Sequence, residues 1–166
     1  MRTPEIAFVA LGSNLGNSID IVSKAIAELQ LLSGQLLLKS SLWQSAPVDC
    51  PPGSPPFTNA VVALEPRAGE TPTTLLRELR RLEKQFGRQP KKVVNEPRLL
   101  DLDLIAFGSR RMNSPDLVLP HPRAHSRRFV LQPLSEIVPD FILPGQTKSV
   151  QQLLRVLKTD ESLRRL

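Results

Sequence analysis

The chain has 166 residues, a formal net charge of +6 and a pI of about 10.1. This length fits one domain with an ordinary buried core, and the single cysteine, Cys50, excludes an internal disulfide and a multi-cysteine zinc site. The positive charge favours an anionic partner such as a nucleotide, a nucleic acid or an anionic lipid. The first apolar run, residues 6–11, is too short for a signal or membrane segment, so we expect a cytoplasmic protein that does not bind membranes.

The first half of the chain alternates strand-like and helix-like patterns. The run from Ile6 to Leu11 predicts a buried strand that ends at the turn signal Gly12-Ser13-Asn14. An apolar stripe then predicts a helix that stops at Gly34. Gln35 to Trp43 and Phe57 to Leu64 are predicted as strands. The stripe of the helix consists of Val22, Ala25, Ile26, Leu29 and Leu32.

A second helix and a fourth strand follow. Thr71 is a good N-cap with Pro72 at the first helical position, and Gly87 ends the helix. Leu100 to Phe107 reads as the fourth strand. The buried stripe of this helix consists of Leu75, Leu79, Leu82 and Phe86.

The remaining residues predict a short extended piece at 117–119, a helix over 127–137 and a last helix from Ser149. The order βαββαβ predicts an α+β fold of the ferredoxin-like type. In this fold an antiparallel sheet carries helices on its faces, and here the C-terminal part adds further helices. We find no linker or repeat, so residues 1–166 are expected to form one domain.

Two carboxylates stand two residues apart in the fourth predicted strand. Residues two apart in a strand share a face, so Asp101 and Asp103 project together while Leu100, Leu102 and Leu104 face the core. Two hard oxygen ligands at this spacing suit Mg²⁺, which takes its other ligands from water and substrate phosphates. The alternative is a solvated strand edge whose charges discourage aggregation.

The neighbourhood of the acidic pair favours the metal site. Arg98 precedes the strand, and its planar guanidinium matches phosphate oxygens in a bidentate manner. Thirteen of the 22 Lys and Arg residues lie between Arg77 and Arg128, against six acidic residues in the same interval. The positive charge therefore belongs to the region of the predicted site.

A set of motifs covering about residues 6 to 145 resembles one family, the 6-hydroxymethyl-7,8-dihydropterin pyrophosphokinases of the folate pathway. Several motifs in this order identify a family far more specifically than any single motif does. The set consists of Gly87-Arg88, the run from Pro97 to Leu104, Leu119-Pro120-His121-Pro122 and Arg127-Arg128-Phe129, joined by the segments Ala10 to Gly16 and Phe57 to Ala60.

The resemblance implies an ATP- and Mg²⁺-dependent diphosphokinase, which transfers the β,γ-pyrophosphate of ATP to the hydroxymethyl group of the reduced pterin and releases AMP. It implies two Mg²⁺ ions held by Asp101 and Asp103, with Arg88 and Arg98 as further catalytic residues. The implied nucleotide-binding residues are Arg80, Glu83, Arg88, Lys91, Arg98, Leu104, Leu117, Val118, His121 and Arg127. The implied pterin-binding residues are Ser45, Pro47, Val48, Asn59, Asp101 and Phe129.

Each of these roles has a plainer alternative. Asn59 could be a turn residue, although it lies inside a predicted strand where Asn is disfavoured. His121 could be a satisfied loop residue, and Phe129 a core residue. Arg80 and Glu83 could belong to the solvated face of the second helix.

Two other functional classes share parts of this pattern. An RNA-binding module of ferredoxin-like topology would carry aromatic stacking residues on its central strands, whereas these strands are aliphatic. A metal-dependent nuclease would offer more convergent acids than two. We therefore expect a monomer that uses ATP and the pterin as substrates and binds no nucleic acid.

The loop before the fourth strand departs from the family pattern. Pro90 stands where members often carry a second arginine, and Val94 and Glu96 stand where a basic residue and a Gly or Ala are usual. Proline removes a charge and a backbone N–H, and Glu96 repels phosphate beside Arg98. We expect closure over ATP to be less favourable here, with Lys91 and Lys92 partly compensating.

Overall fold

A computed structural model of the chain describes residues 4–47, 49–87 and 97–166. The predictions made for Val48, Arg88, Pro90, Lys91, Lys92, Val94 and Glu96 lie outside the described residues. The strands are β1 (Ala7–Ser13), β2 (Leu38–Lys39), β3 (Trp43–Ser45), β4 (Phe57–Leu64), β5 (Asp101–Phe107), β6 (Met112–Asn113), β7 (Val118–Leu119) and β8 (Leu163–Arg165). The helices are α1 (Ser18–Gln30), α2 (Pro72–Gln85), α3 (Arg128–Ile137) and α4 (Val150–Val156), with a 3-10 turn at Ala124–Ser126.

Six strands form the main sheet. Its order is β5-β1-β4-β3-β8, and β2 also pairs with β4. Every pairing in it is antiparallel. The order β5-β1-β4-β3, joined through α1 and α2, is the ferredoxin-like arrangement, so the predicted fold is confirmed.

The sheet lies between two helical layers. One buried cluster joins α1 and α2 to one face, and a second joins α3 and α4 to the other. Successive residues of β1 alternate between the clusters: Ala7, Val9 and Leu11 face the first and Phe8 and Ala10 the second. Burial on both faces explains why this strand is a continuous apolar run. None of the helices within the described ranges combines the length and apolar character needed to cross a membrane.

The prediction of one strand from Gln35 to Trp43 is wrong in extent. Two short strands, β2 and β3, take its place along β4. Between them, the Ser40 N–H donates to the Val61 carbonyl at 2.9 Å, as in a regular ladder. The Val61 N–H, however, donates to the Ser40 side-chain Oγ at 2.9 Å instead of to a backbone carbonyl. A side chain that takes the place of a backbone group interrupts regular pairing.

The ends of β1 and α1 also differ from their predicted positions. Strand β1 does not stop at Gly12 but continues through Ser13, because both residues pair with β4 and Gly12 also pairs with β5. Helix α1 ends at Gln30 rather than at Gly34, whose N–H donates to the Glu65 carbonyl at 2.8 Å. In contrast, α2 begins as predicted, with Thr71 as N-cap and Pro72 in the first turn.

The C-terminal part contains elements that the sequence did not predict, namely β6, the 3-10 turn and β8. Helices α3 and α4 lie where they were expected, and Ser149 caps α4. Strand β8 then adds to the sheet beside β3, pairing Leu163 with Ser45 and Arg165 with Trp43. The last residues of the chain therefore return to the sheet.

Candidate active site

One row of residues across the sheet joins the predicted metal ligands to the predicted pterin contact. Asp101 on β5 pairs with Gly12 on β1, Gly12 pairs with Asn59 on β4, and Asn59 pairs with Trp43 on β3. Directly opposed residues share a face of the sheet. Because neighbouring strands lie about 4.8 Å apart, Asp101 and Asn59 are separated by about 10 Å with only a glycine between them.

The alternation predicted for β5 is confirmed. Leu100, Leu102 and Leu104 are buried against α1 and α2, while Asp101 and Asp103 belong to the opposite face. Val9 pairs with Leu104 and Phe8 with Ala106, so a bulge ends the alternation after Leu104. The acidic face of this strand is therefore confined to its first three residues.

Asp103 is a half-buried carboxyl group whose pKa is perturbed. Burial and the nearby charge of Asp101 raise its pKa to about 7, against the opposing attraction of Arg80 and Arg127. Two close carboxylates in a buried site are costly when both are ionised unless a cation compensates them. Among the described residues, no group of three or more His, Cys, Asp or Glu side chains is arranged so that it could hold a metal ion by itself. A pair of carboxylates fits Mg²⁺, because that ion keeps waters and accepts phosphate oxygens as its other ligands.

Arg98 connects the start of β5 to the residue that follows β1. Its Nη1 lies 3.2 Å from Asp101 Oδ2, and its side chain is only 16% exposed. Its backbone N–H donates to Asn14 Oδ1 at 2.9 Å, and its carbonyl accepts the Asn14 N–H at 3.1 Å. The guanidinium is thus held beside the acidic pair, where an incoming phosphate would meet it.

Glu83 and Arg80 bind the outer edge of β5. Glu83 is 1% exposed, and its Oε2 accepts the Leu102 N–H at 2.9 Å. Its Oε1 accepts from Arg80 Nη1 at 2.8 Å, and the same nitrogen lies 3.4 Å from the Leu102 carbonyl. The pair therefore satisfies the edge backbone of the residue between Asp101 and Asp103. Its predicted contact with the nucleotide stays a prediction.

We expect Glu83→Ala to lower the free energy of unfolding by about 1 to 3 kcal/mol, because it leaves the buried Leu102 N–H unpaired. Chemical denaturation in urea measures this loss. The matched control is Glu78→Ala on the same helix, where the Glu78–Arg81 ion pair is partly exposed and should contribute about 0.5 kcal/mol or less. Equal losses in the two variants would contradict the edge-binding role.

A cavity of about 310 Å³ opens over the row. It collects the predicted residues that lie on the sheet and at the start of α3, namely Ser45, Asn59, Arg98, Asp101, Asp103, Arg127 and Phe129. The other described predictions lie outside its lining: Pro47, Arg80, Glu83, Leu104, Leu117, Val118 and His121. Among these, Leu104 and Leu117 are buried in the core and Val118 is exposed, so their predicted place beside adenine stays a prediction.

The cavity also contains residues that the sequence reasoning did not select, among them Asp49, Cys50, Phe57, Arg123, Ser126 and Glu161. Phe57 could have been found, because it stands two residues before Asn59 in the same predicted strand. Glu161 gave no local signal, since it reaches the cavity through the unpredicted C-terminal strand.

The part of the cavity that is predicted to bind the pterin is organised around Asn59. This side chain is 4% exposed. Its Nδ2 donates to Ser45 Oγ at 2.7 Å and lies 3.4 Å from the Trp43 carbonyl. The two neighbouring strands thus fix the orientation of the amide, and Oδ1 remains the acceptor that it can offer a ligand.

The part of the cavity that is predicted to bind phosphate is cationic. Arg127 precedes α3, and its guanidinium lies 5.2 Å from the centre of the Phe129 ring. Burial and Arg123 lower the pKa of Arg127, whereas Asp103, Glu161 and Asp101 raise it. The three acids favour the charged form of Arg127, although the net effect is a lowered pKa.

His121 carries a defined tautomer. Burial and the charges of Arg127 and Arg123 lower its pKa, so the neutral ring prevails at neutral pH. Its Nδ1 accepts the Arg123 N–H at 3.2 Å. The ring proton therefore resides on Nε2, which is the donor that the predicted phosphate contact needs.

Three comparisons relate the chain to known proteins. A family model described as 7,8-dihydro-6-hydroxymethylpterin-pyrophosphokinase (HPPK) matches residues 8–139. The 2-amino-4-hydroxy-6-hydroxymethyldihydropteridine pyrophosphokinase of Synechocystis sp. is 40% identical over 148 residues, which cover 89% of this chain and 74% of that protein. The protein of the same name from Haemophilus influenzae is 37% identical over 140 residues, covering 84% and 85%.

Solved structures show the same fold. A crystal structure of an HPPK-DHPS protein in complex with substrates superposes with a TM-score of 0.73 at 12% identity, covering 92% of this chain. The chain spans less than half of that longer protein, 43% of its length. At this identity the likeness shows the fold alone.

Proposed function

This chain belongs to the 7,8-dihydro-6-hydroxymethylpterin-pyrophosphokinase family, and from that membership and the site we infer its reaction. It transfers pyrophosphate from ATP to 6-hydroxymethyl-7,8-dihydropterin, giving AMP and the pterin diphosphate in folate biosynthesis. ATP is the co-substrate. The observation that carries this inference is the row from Asp101 through Gly12 to Asn59, which leaves only one strand, β1, between the acidic pair and a buried amide.

We propose that Asn59 and Phe129 bind the pterin. Asn59 presents its amide to the polar edge of the ring, and Ser45 fixes the amide. Phe129 offers a flat apolar face beside the cavity. Pro47 and Val48 complete this half of the site in the proposal. A ring held in this way directs its hydroxymethyl arm along the row towards Asp101.

The proposal places ATP on the cationic side. Asp101 and Asp103 would hold two Mg²⁺ ions, which when bound neutralise charge on the phosphates. Arg98 and Arg127 orient the terminal phosphates, and His121 donates from Nε2. Transfer of this kind needs little covalent chemistry from the protein and depends on positioning and electrostatic stabilisation. The residues from the loop, Arg88 and Lys91, would add positive charge.

We expect the chain, given ATP, Mg²⁺ and 6-hydroxymethyl-7,8-dihydropterin, to form AMP and the pterin diphosphate in equal amounts. Separation of the nucleotides by anion-exchange chromatography with ³¹P NMR of the products measures both. Formation of ADP, or cleavage of an added oligonucleotide, would contradict the proposed function.

Asn59→Ala should weaken pterin binding by about 1 to 3 kcal/mol, because it removes polar contacts that the ring needs. Fluorescence titration with the pterin measures this change, and a parallel titration with a non-hydrolysable ATP analogue should show no matching loss. Asn113→Ala, the same substitution in the exposed strand β6, is the control. Equal losses for both ligands would indicate misfolding and contradict the assignment.

We also propose that residues 1–166 form a single pyrophosphokinase domain that acts as a monomer in the cytoplasm. Support comes from the two buried clusters, which pack on opposite faces of the same sheet. Light scattering of the purified chain under assay conditions tests the oligomeric state, and a dimer mass would contradict it.

A further inference from the structure

The C-terminal segment, residues 159–166, reaches the site although it lies beyond the residues that match the family model, 8–139. Strand β8 pairs with β3, the strand whose Ser45 holds Asn59. Just before β8, Glu161 enters the lining of the cavity together with Arg127 and Phe129. The segment therefore contributes a charged side chain to the same cavity as the predicted phosphate and pterin contacts.

Several contacts fix the segment in place. The Leu166 N–H donates to the Leu42 carbonyl at 2.9 Å. The Arg165 guanidinium lies 5.8 Å from the centre of the Trp43 ring and 2.8 Å from Glu136 Oε2 on α3. Trp43 Nε1 donates to the other oxygen of Glu136 at 2.7 Å. The tail is thus bound both to the sheet and to α3, and the position of Glu161 follows from both.

Glu161 binds the start of α3. Its Oε2 accepts the N–H of Arg128, the first residue of that helix, at 2.9 Å. The N-cap residue Arg127 makes no side-chain capping bond, and the first turn of α3 contains no acidic residue. A helix start leaves N–H groups without intrahelical partners and carries positive partial charge. A residue 33 positions away therefore supplies the cap that the local sequence lacks.

The two residues that flank Arg128 are those proposed to bind substrate. In the proposed function Arg127 binds the phosphates and Phe129 the pterin, and in the structure the guanidinium lies over the ring at 5.2 Å. Glu161 also acts electrostatically on Arg127, favouring its charged form. A shift of the Arg128 backbone would move both side chains together.

We propose that Glu161 is a positioning residue for the transfer reaction: it fixes the start of α3 and so sets Arg127 and Phe129 in register with ATP and the pterin. This proposal rests on the proposed function for the roles of Arg127 and Phe129. The capping of α3 by Glu161 is seen in the structure itself and does not depend on the proposed function. Small displacements of positioning groups cost large factors in rate, which gives a remote cap a kinetic consequence.

The experiment compares Glu161→Ala and Glu161→Gln with Asp160→Ala in the full-length chain. Asp160 is the adjacent acid, is exposed and lies outside the cavity, so it controls for the change in charge. Glu161→Ala should speed amide exchange at Arg128 and reduce pterin affinity and kcat/KM by about tenfold, the size expected for loss of one helix cap. Glu161→Gln retains an oxygen acceptor and should stay within about threefold of the parent chain.

A double-mutant cycle with Arg127→Ala separates positioning from general stability. If Glu161 acts through the start of α3, Glu161→Ala should cost much less in kcat/KM once Arg127 is absent. Fully additive losses would overturn the proposal. So would faster exchange spread equally over α1 and α4, or a Glu161→Ala variant whose exchange and kinetics equal those of Asp160→Ala.

The experiments distinguish a failure of the proposed function from a failure of the positioning role. A parent chain that makes no AMP and pterin diphosphate would contradict the function, whereas the exchange rate of the Arg128 amide still tests whether Glu161 caps α3. Normal turnover by the parent chain together with an unchanged rate in Glu161→Ala would overturn only the positioning role.

Discussion

Replacing Asp103 with alanine should reduce turnover by about 100- to 1,000-fold or more, with a similar loss for Asp101→Ala, because each substitution removes one of two proposed ligands for Mg²⁺ at the transferring phosphates. Pterin binding to the free chain should change little, since Asn59 and Phe129 lie on other elements. Single-turnover kinetics with saturating ATP and Mg²⁺ measure the rate, and fluorescence titration measures the pterin affinity.

Asp116→Ala, an exposed acid outside the cavity, serves as the control for charge and should turn over like the parent chain. Asp103→Asn keeps the shape of the side chain and a neutral oxygen, so it should remain strongly impaired. Near-normal turnover of either alanine variant in Mg²⁺ would contradict the metal-binding assignment and leave the acidic pair as a protected strand edge.

The second large effect is on the pH dependence of magnesium binding. Burial and Asp101 raise the pKa of Asp103 to about 7, and a carboxyl group must lose its proton before it binds the ion. The affinity of the substrate-free chain for Mg²⁺ should rise by nearly tenfold per pH unit well below pH 7, or about 50-fold from pH 5 to 7, and then level off. Isothermal calorimetry at fixed ionic strength measures it.

Asp103 should make the free energy of unfolding depend on pH in the opposite direction. Its pKa is higher in the folded chain than the ordinary value of 3.8, so the folded state binds the proton more tightly. The stability that this proton contributes is fully present below pH 3.8 and is lost as the pH rises through about 7. Asp103→Asn should remove both trends, and an unchanged pH profile in that variant would assign them to another group.

Local patterns were enough to predict the ferredoxin-like core. The 57–64 strand, the capped helix after Thr71 and the alternation at Asp101 and Asp103 each follow from nearest-neighbour rules, and all three agree with the structure. Such features depend on periodicity, capping and turn residues, which a single sequence displays.

What the sequence did not reveal depends on contacts between distant segments. Ser40 divides a predicted strand because its hydroxyl bonds to Val61, 21 positions away. Glu83 looks like a surface acid on a helix until β5 places the Leu102 N–H against it. Glu161 becomes part of the cavity only because β8 pairs with β3. Periodicity carries no information about such pairings, so these roles become apparent only in the folded chain.

In the proposed site, the fixed distance across Gly12 limits the length of the substrate arm that can react. The separation between the amide of Asn59 and the carboxylate of Asp101 is set by two strand spacings, about 10 Å, and therefore by backbone hydrogen bonds. Thermal motion and side-chain substitutions change such a spacing very little. An alcohol carried on a longer or shorter arm than one carbon would overshoot or fall short of the phosphates even when its ring bound normally. Selectivity for arm length should consequently appear in the rate of transfer and not in ring affinity.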